Sequence, residues 1–507
     1  MASGLRLALA GCAAALTLAS AVGAAGDADG DRLDMMRQLG IQALRPGPSG
    51  NEAAPNHANY DETIANPHPA LPDPLVTFAG KPVTSAALWW KIRRPEIVEA
   101  YEREVYGRIP ADVPKVTWRI AASERERLGF PGTPVLARQM IGHVDNSADP
   151  AISVDIRMTV VTPADARGPV PLLVMFAPDG FPAPTQPSRE DFARIDAALK
   201  AAAVRQDPSL ATIFAAHPGF ALATPPPLFR VPEKNADGDP MNPEQLAAAG
   251  WGFALLDTAS VQADDGAGLR QGIIGLTNRG GPRSPDQWGA LRAWGWAASR
   301  ALDYFESDPS VDARHVGIEG VSRWGKAALV TMAFDQRFAM ALVGSSGKGG
   351  ATPLRRDWGE DISNLATGTS YWFAGNLIKY DASKASSRLL DPGDLPVDSN
   401  DLIALCAPRL TFISYGVPEK GDARWLDHRG SWMATVSAGK VWDLLGAKGL
   451  GVAQDYRVAP MPAVNQGLLD GQLAWRQHDG GHTDAPNMKW FLQWADRNIG
   501  HVPPPPN

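Results

Sequence analysis

The stretch Val316–Leu329, "VGIEGVSRWGKAAL", admits two incompatible readings, and the choice between them decides the fold. Gly320, Gly325 and Lys326 form G-x-x-x-x-G-K, close to the phosphate-binding loop of a nucleotide hydrolase. Gly320 and Ser322 form G-x-S between an apolar strand and an apolar helix, the opening of a hydrolase nucleophile elbow. A phosphate loop needs a Ser or Thr hydroxyl for magnesium directly after the lysine, and Ala327 stands there. Such a loop also wraps backbone N–H groups round a phosphate, whereas Val321, Arg323 and Trp324 are bulky. The elbow reading stands. It exposes the Ser322 hydroxyl above a sheet and aims the next N–H at an oxyanion. One detail departs from the usual G-x-S-x-G: Trp324 takes the second glycine's place and Gly325 follows it.

Bulk properties agree with an exported globular enzyme. The chain has 507 residues, 44% hydrophobic and 20% charged, enough for a large core. Its net charge of −7 comes with no basic block, so no nucleic-acid partner is expected. "MASGLRLALAGCAAALTLASAVGAAG" carries one early charge, Arg6, then an apolar run and small residues, as a signal peptide does. Residues 1–25 are read as that signal, and its removal takes the net charge to −8 (−7 less the positive charge of Arg6). The expected location is periplasmic or secreted, with a lipid anchor at Cys12 of "LAGC" as the alternative. No later apolar run is long enough to span a bilayer, so no integral membrane span is expected. An exported protein meets neither ATP nor GTP, which removes nucleotide as a partner. After cleavage Cys406 is alone in the apolar "LIALCAPRL", so no internal disulfide is expected. Nine scattered histidines without HExxH or a Cys/His cluster suggest no metal, and no cofactor is expected. The protein is expected to be a monomer.

Along the chain, "ISVDIRMTVVTP", "PLLVMFAP", "WGFALLDT", "HVGIEG", "ALVGSS" and "LTFISYG" read as strands. Between and after them, "DQWGALRAWGWAASRALDYFESDP", "SWMATVSAGKVWDLLGA" and "NMKWFLQWADRNI" read as helices. That alternation predicts an α/β fold with a mostly parallel central sheet covered on both faces. A Pro- and Ala-rich insertion, about Ala183 to Gly250, interrupts it and contains the helical "REDFARIDAALKAAAV". The expected organisation is a tether or wrapped arm over 26–70, a catalytic domain over 71–500 and an extended, disordered tail over 501–507. A nucleophilic serine in such a fold needs a late histidine, with a carboxylate between them in sequence. "WRQHDGGHTDAPNMKW" supplies His478 and His482, either of which could be the base.

At this point the residues resemble a family. "GVSRWGKAAL" is similar to the nucleophile signature of the glucuronoyl esterases, most of all their bacterial branch. "SSGKGGATPLRRDWGEDISNL", "YWFAGNLIKYD", "LPVDSNDLIALCAPRLTFIS" and "GGHTD" follow in the family's order, so the resemblance runs from about Pro74 to Ile499. It implies an α/β-hydrolase fold and cleavage of the ester between 4-O-methyl-glucuronate of xylan and an alcohol of lignin. It also implies Ser322 as nucleophile, His482 as base and Arg323 as an oxyanion-hole residue. Lys326, Glu360 and Trp425 would bind the sugar. One departure matters. Many members carry the catalytic glutamate where this chain has Ser345, the first residue of "SSGKGG", and serine cannot supply the charge that stabilises an imidazolium. Some bacterial relatives place the acid after the next-to-last strand, here in "YGVPEKGDARWLDHRG". Asp422 fits best, Glu419 is the alternative, and Asp427 reads as a structural turn residue. Two other functions stay open: an acetyl or feruloyl esterase of plant polysaccharide, and a carbohydrate-binding relative without catalysis.

Overall fold

A computed structural model describes residues 29–68, 70–129, 132–177, 189–224, 234–235, 237–381 and 390–504. The first half of the chain supplies strands β1 (Val116–Leu128), β2 (Thr133–Val144), β3 (Asp155–Pro163), β4 (Val170–Phe176) and β5 (Gly252–Leu256). The second half supplies β6 (Val311–Val321), β7 (Met340–Gly344), β8 (Leu410–Tyr415), β9 (Gly467–Leu468) and β10 (Leu473–Gln477). They join in one sheet in the order β1-β2-β3-β5-β4-β6-β7-β8-β10-β9. The central run from β5 to β10 pairs in parallel, and antiparallel pairing is confined to the two edges.

The central strands are apolar on both faces because both faces are covered. Every residue of β4, "VPLLVMF", and of β7, "MALVG", is buried. The two-residue period of a strand sends Leu172, Val174 and Ile318 into one core and Leu173, Met175 and Met340 into the other. Helices α1 (Ala290–Phe305), α2 (Arg323–Phe334) and α3 (His428–Leu444) close the first core through Trp294, Leu329 and Trp442. Helix α4 (Ala485–Ile499) closes the second through Phe491 and Trp494. This is the α/β-hydrolase fold. Apolar runs do not mark β1 and β2, which the structure adds. β1 carries Glu124, Arg125, Glu126 and Arg127 in succession and is largely solvated at the sheet edge.

Residues 29–39 are helical, and Met35, Met36 and Ile41 pack on Ala366 and Ile378. Farther along, Asn364 Nδ2 donates to Pro48 O (2.9 Å) and Gly359 N–H to Asn59 O (2.9 Å). The segment therefore wraps the domain rather than tethering it. The signal segment 1–25, with Cys12, lies outside the described residues. The insertion contains helices Arg189–Gln206 and Leu210–Ala216, while its "PPPLFRVP" lies outside the described residues. At the other end His501 Nδ1 is 2.8 Å from Asp496 Oδ1, and Pro504 lies against Gly250. These two contacts touch the start of the tail, Val502 is 84% exposed, and 505–507 lie outside the described residues.

All the parallel strands end on one edge. β6 runs into Ser322, β7 into Ser345, β8 into the loop bearing Asp422, and β10 into the loop bearing His482. Because these strands are consecutive neighbours in the sheet, the four loops are neighbours too. Crevices at such strand ends are where open α/β sheets bind ligands.

Candidate active site

Ser322 holds φ 64° and ψ −126°. A conformation of this kind costs a non-glycine residue about 1–3 kcal/mol and persists only where surroundings impose it. Here Ser322 N–H donates to Gly344 O on β7 (2.9 Å), and Lys326 N–H closes the first turn of α2 on Ser322 O (3.0 Å). Two close approaches explain the glycines. A Cβ on Gly320 would stand 2.4 Å from Trp324 O, and one on Gly325 would stand 2.5 Å from Gly344 O. The late glycine is the point where α2 meets β7. Lys326 is buried, and its Nζ donates to Ser346 O (2.6 Å).

The β8 and β10 loops bring an acid and a histidine together. His482 Nδ1 lies 2.7 Å from Asp422 Oδ1; the Asp422 side chain is 0% exposed and that of His482 37%. The imidazole therefore carries its proton on Nδ1 toward the acid, leaving Nε2 to accept one. Asp422 Oδ2 accepts from Ser345 Oγ (2.8 Å) and Gly416 N–H (2.8 Å). His428 Nε2 stands 3.2 Å from the same oxygen. Burial pushes the Asp422 carboxyl up, but His428, His482 and Ser345 outweigh it and hold the group well below the usual carboxylate range. Ser345, the position at which the family resemblance implies an acid, thus contacts the candidate acid of the other loop.

The other candidates are separated by geometry. Glu419 is exposed on the turn Pro418–Lys420, and the carboxylate that meets His482 is that of Asp422. Asp427 caps α3 by accepting from Gly430 N–H (2.9 Å) and pairs with Arg356 (2.7 Å). His478 is buried, with Nε2 2.7 Å from Thr483 O and Nδ1 accepting from Gly480 N–H (3.0 Å). Both of its ring nitrogens serve the loop, and burial lowers its pKa. Of the two late histidines, only His482 meets a carboxylate of the described residues at hydrogen-bond distance.

Beyond Ser322 the site is strongly charged. The Arg323 guanidinium pairs with Asp264 and lies 5.5 Å from the centre of the Trp372 ring. Asp264 is also held by Trp372 Nε1 (2.7 Å) and Tyr371 OH (3.2 Å). The Lys326 ammonium lies over the same Trp372 ring at 5.6 Å. A Cβ on Gly347 would stand 3.7 Å from Lys326 Nζ and 3.5 Å from Glu360 Oε2, so the glycine lies between opposite charges. Burial draws the lysine pKa down and the glutamate pKa up, and each charge opposes the shift of the other. Among the described residues Glu360 Oε2 is buried with no hydrogen-bond partner. Its backbone N–H donates to Trp425 O (2.9 Å), fixing Glu360 beside Trp425. The N-terminal arm reaches this point: a Cβ on Gly50 would stand 3.1 Å from the Trp425 ring.

Asp264 and His428 are absent from the sequence reading. His428 opens α3 six residues after Asp422, and only the folded loop turns its ring back onto that acid. Asp264 lies on the loop after β5 and meets Arg323 only through strand order. Among the described residues no group of three or more His, Cys, Asp or Glu side chains gathers as a metal site. No helix of the described residues is long and apolar enough to cross a membrane.

Known proteins share this arrangement of the chain. A family model described as fungal glucuronyl esterase matches residues 283–446, which include Ser322, Ser345 and Asp422. A carbohydrate esterase of an unknown prokaryotic organism is 29% identical over 451 residues, covering 88% of this chain and 93% of that one. A 4-O-methyl-glucuronoyl methylesterase of Sodiomyces alcalophilus is 30% identical over 167 residues, 31% of this chain and 32% of the fungal one. The solved structure of a glucuronoyl esterase from Teredinibacter turnerae superposes with a TM-score of 0.75 and 35% identity, covering 93% of this chain and all (100%) of that one. Identity at that level, carried over nearly the whole length of two chains with one fold, means that the chain belongs to the glucuronoyl esterase family of carboxylic ester hydrolases.

Proposed function

We propose that the protein is an exported serine esterase that cleaves the ester between (4-O-methyl-)glucuronate of glucuronoxylan and lignin alcohols, through an acyl-enzyme on Ser322. The observation that carries the chemistry is the 2.7 Å His482–Asp422 hydrogen bond, on loops neighbouring the strained turn at Ser322. His482 takes the Ser322 hydroxyl proton as Oγ attacks the ester carbonyl, and Asp422 stabilises the imidazolium that forms. The alcohol leaves with that proton. A water deprotonated by the same histidine then releases glucuronate from Ser322. The Arg323 N–H and the positive end of α2 stabilise the oxyanion, with the Asp264-held guanidinium as a fixed cation nearby. Residues 1–25, read as a signal peptide, support export, and residues 71–500 form the catalytic unit.

Sugar recognition falls to Lys326, Glu360 and Trp425. The esterified carboxyl is neutral, so the polar groups of this pocket serve hydroxyls: Glu360 Oε2 as a free acceptor, the Lys326 ammonium as a donor, Trp425 as an apolar wall. A site built for hydroxyls rejects analogues that leave its polar groups unpaired. Methyl galacturonate, with its C4 hydroxyl inverted, should therefore be cleaved at least about a hundredfold more slowly than methyl glucuronate, judged by kcat/KM. Equal rates on the two would remove the pocket assignment. The function itself is tested by hydrolysis of benzyl glucuronate beside acetylated and feruloylated saccharides. Preference for either of the latter would transfer the protein to another esterase specificity.

A further inference from the structure

The acid of the candidate triad sits between two imidazoles, and only one of them has been given work. His428 is the first residue of α3, and its side chain is almost wholly buried. Its ring packs against Tyr415, 5.0 Å between centres, which fixes the plane of the imidazole. The protonation of that ring follows from its neighbours. Gln477 Nε2 donates to Gly416 O (2.8 Å), which identifies the nitrogen end of that amide. The same nitrogen lies 3.5 Å from His428 Nδ1, and an amide nitrogen has no lone pair to offer. His428 Nδ1 must then be the accepting nitrogen, and the ring proton belongs on Nε2. That atom is buried, makes no aligned hydrogen bond to the described residues, and stands 3.2 Å from Asp422 Oδ2.

We infer that His428 is a positioning residue for the reaction: its Nε2–H fixes the rotation and the negative charge of Asp422, so that Oδ1 is left for His482. The inference rests on the reading of Asp422 as the triad acid. Three groups converge on Oδ2, namely Ser345 Oγ, Gly416 N–H and His428 Nε2, while among the described residues His482 alone takes Oδ1. A carboxylate loaded in this way cannot turn to offer Oδ2 to His482 without uncovering three donors. His428 is also the foremost of the partners that hold the Asp422 carboxyl below its usual range. The contact is a charge–dipole one with imperfect alignment, so its effect is smaller than that of a triad member. A fully desolvated donor on a carboxylate still affects rate by about tenfold.

The test compares side chains that keep or drop a donor at the Nε2 position. His428→Phe retains the ring packing on Tyr415 and removes the donor. His428→Gln places an amide N–H near the old Nε2, whereas His428→Asn reaches only as far as the old Nδ1. On benzyl glucuronate, His428→Phe and His428→Asn should lose about tenfold in kcat with KM within about twofold of wild type. His428→Gln should recover most of that loss. On an Asp422→Asn background, His428→Phe should cost nothing further, because the charge it serves is gone. Circular dichroism and thermal unfolding confirm folding, and the Gln/Asn pair decides the matter if the Phe variant does not fold. The inference is overturned if Phe and Asn retain wild-type kcat, if Gln falls as far as Asn, or if the His428 loss persists undiminished beside Asp422→Asn. Wild-type activity in Asp422→Asn alone would instead overturn the acid assignment, and this inference with it.

Discussion

Ser322→Ala and His482→Ala should each lower kcat on a glucuronate ester by about 10⁴- to 10⁶-fold while leaving the fold intact. The serine variant removes the atom on which the proposed acyl-enzyme would form. It keeps the turn that β7 imposes through Gly344 O, because alanine adds no atom to that turn. The histidine variant removes the group that pairs with Asp422 Oδ1, from a position open to solvent. Members of such a constellation act as a unit, so the double variant should be little worse than either single one. His478→Ala is the control. With both ring nitrogens bonded to its own loop, it should lower thermal stability more than it lowers kcat. Loss of activity in His478→Ala, with retention in His482→Ala, would move the base to the other histidine.

The parts of this site that could be read from the chain are those where local pattern and chain order suffice. An apolar strand, a G-x-S turn and an apolar helix mark Ser322 as the elbow residue from local pattern alone, while the contact with Gly344 O on β7 holds its strained conformation. The spacing of Gly325 looked irregular only because the helix–strand contact with Gly344 O is not a local feature. Strand order then decides which loops meet. Adjacent β8 and β10 bring Asp422 to His482, which is why a carboxylate after β8 could be singled out beforehand and Glu419, three residues earlier, could not be dismissed. His428, Asp264 and the Gly50–Trp425 contact depend on loops folding back, and nothing local in the sequence announces them. The β1–β2 hairpin was hidden for a different reason. Its outer strand faces water and carries charge where a buried strand carries Val or Ile.

Asp422→Asn should cost about 10⁴ in kcat, because an amide keeps the shape of the acid but neither its charge nor its preference for one imidazole tautomer. The structure adds a sign test at Ser345. In the wild-type background, Ser345→Glu would bring a second carboxylate to Asp422 Oδ2, which Ser345 Oγ now contacts at 2.8 Å. Like charges at that distance, in a fully buried position already at φ 42°, should lower both activity and thermal stability. On the Asp422→Asn background the same substitution should raise activity. The new carboxylate would stand at the position where the family resemblance implies an acid, and the amide introduced at position 422 would be a donor to it rather than a rival charge. One substitution is thus expected to be harmful beside aspartate and beneficial beside asparagine. The comparison requires kcat and unfolding midpoints for both singles and the double. If Asp422→Asn works at near wild-type rate while Glu419→Gln collapses, the acid lies three residues upstream. If Ser345→Glu harms both backgrounds equally, the β7 position cannot support His482 in this chain, and only the β8 loop can.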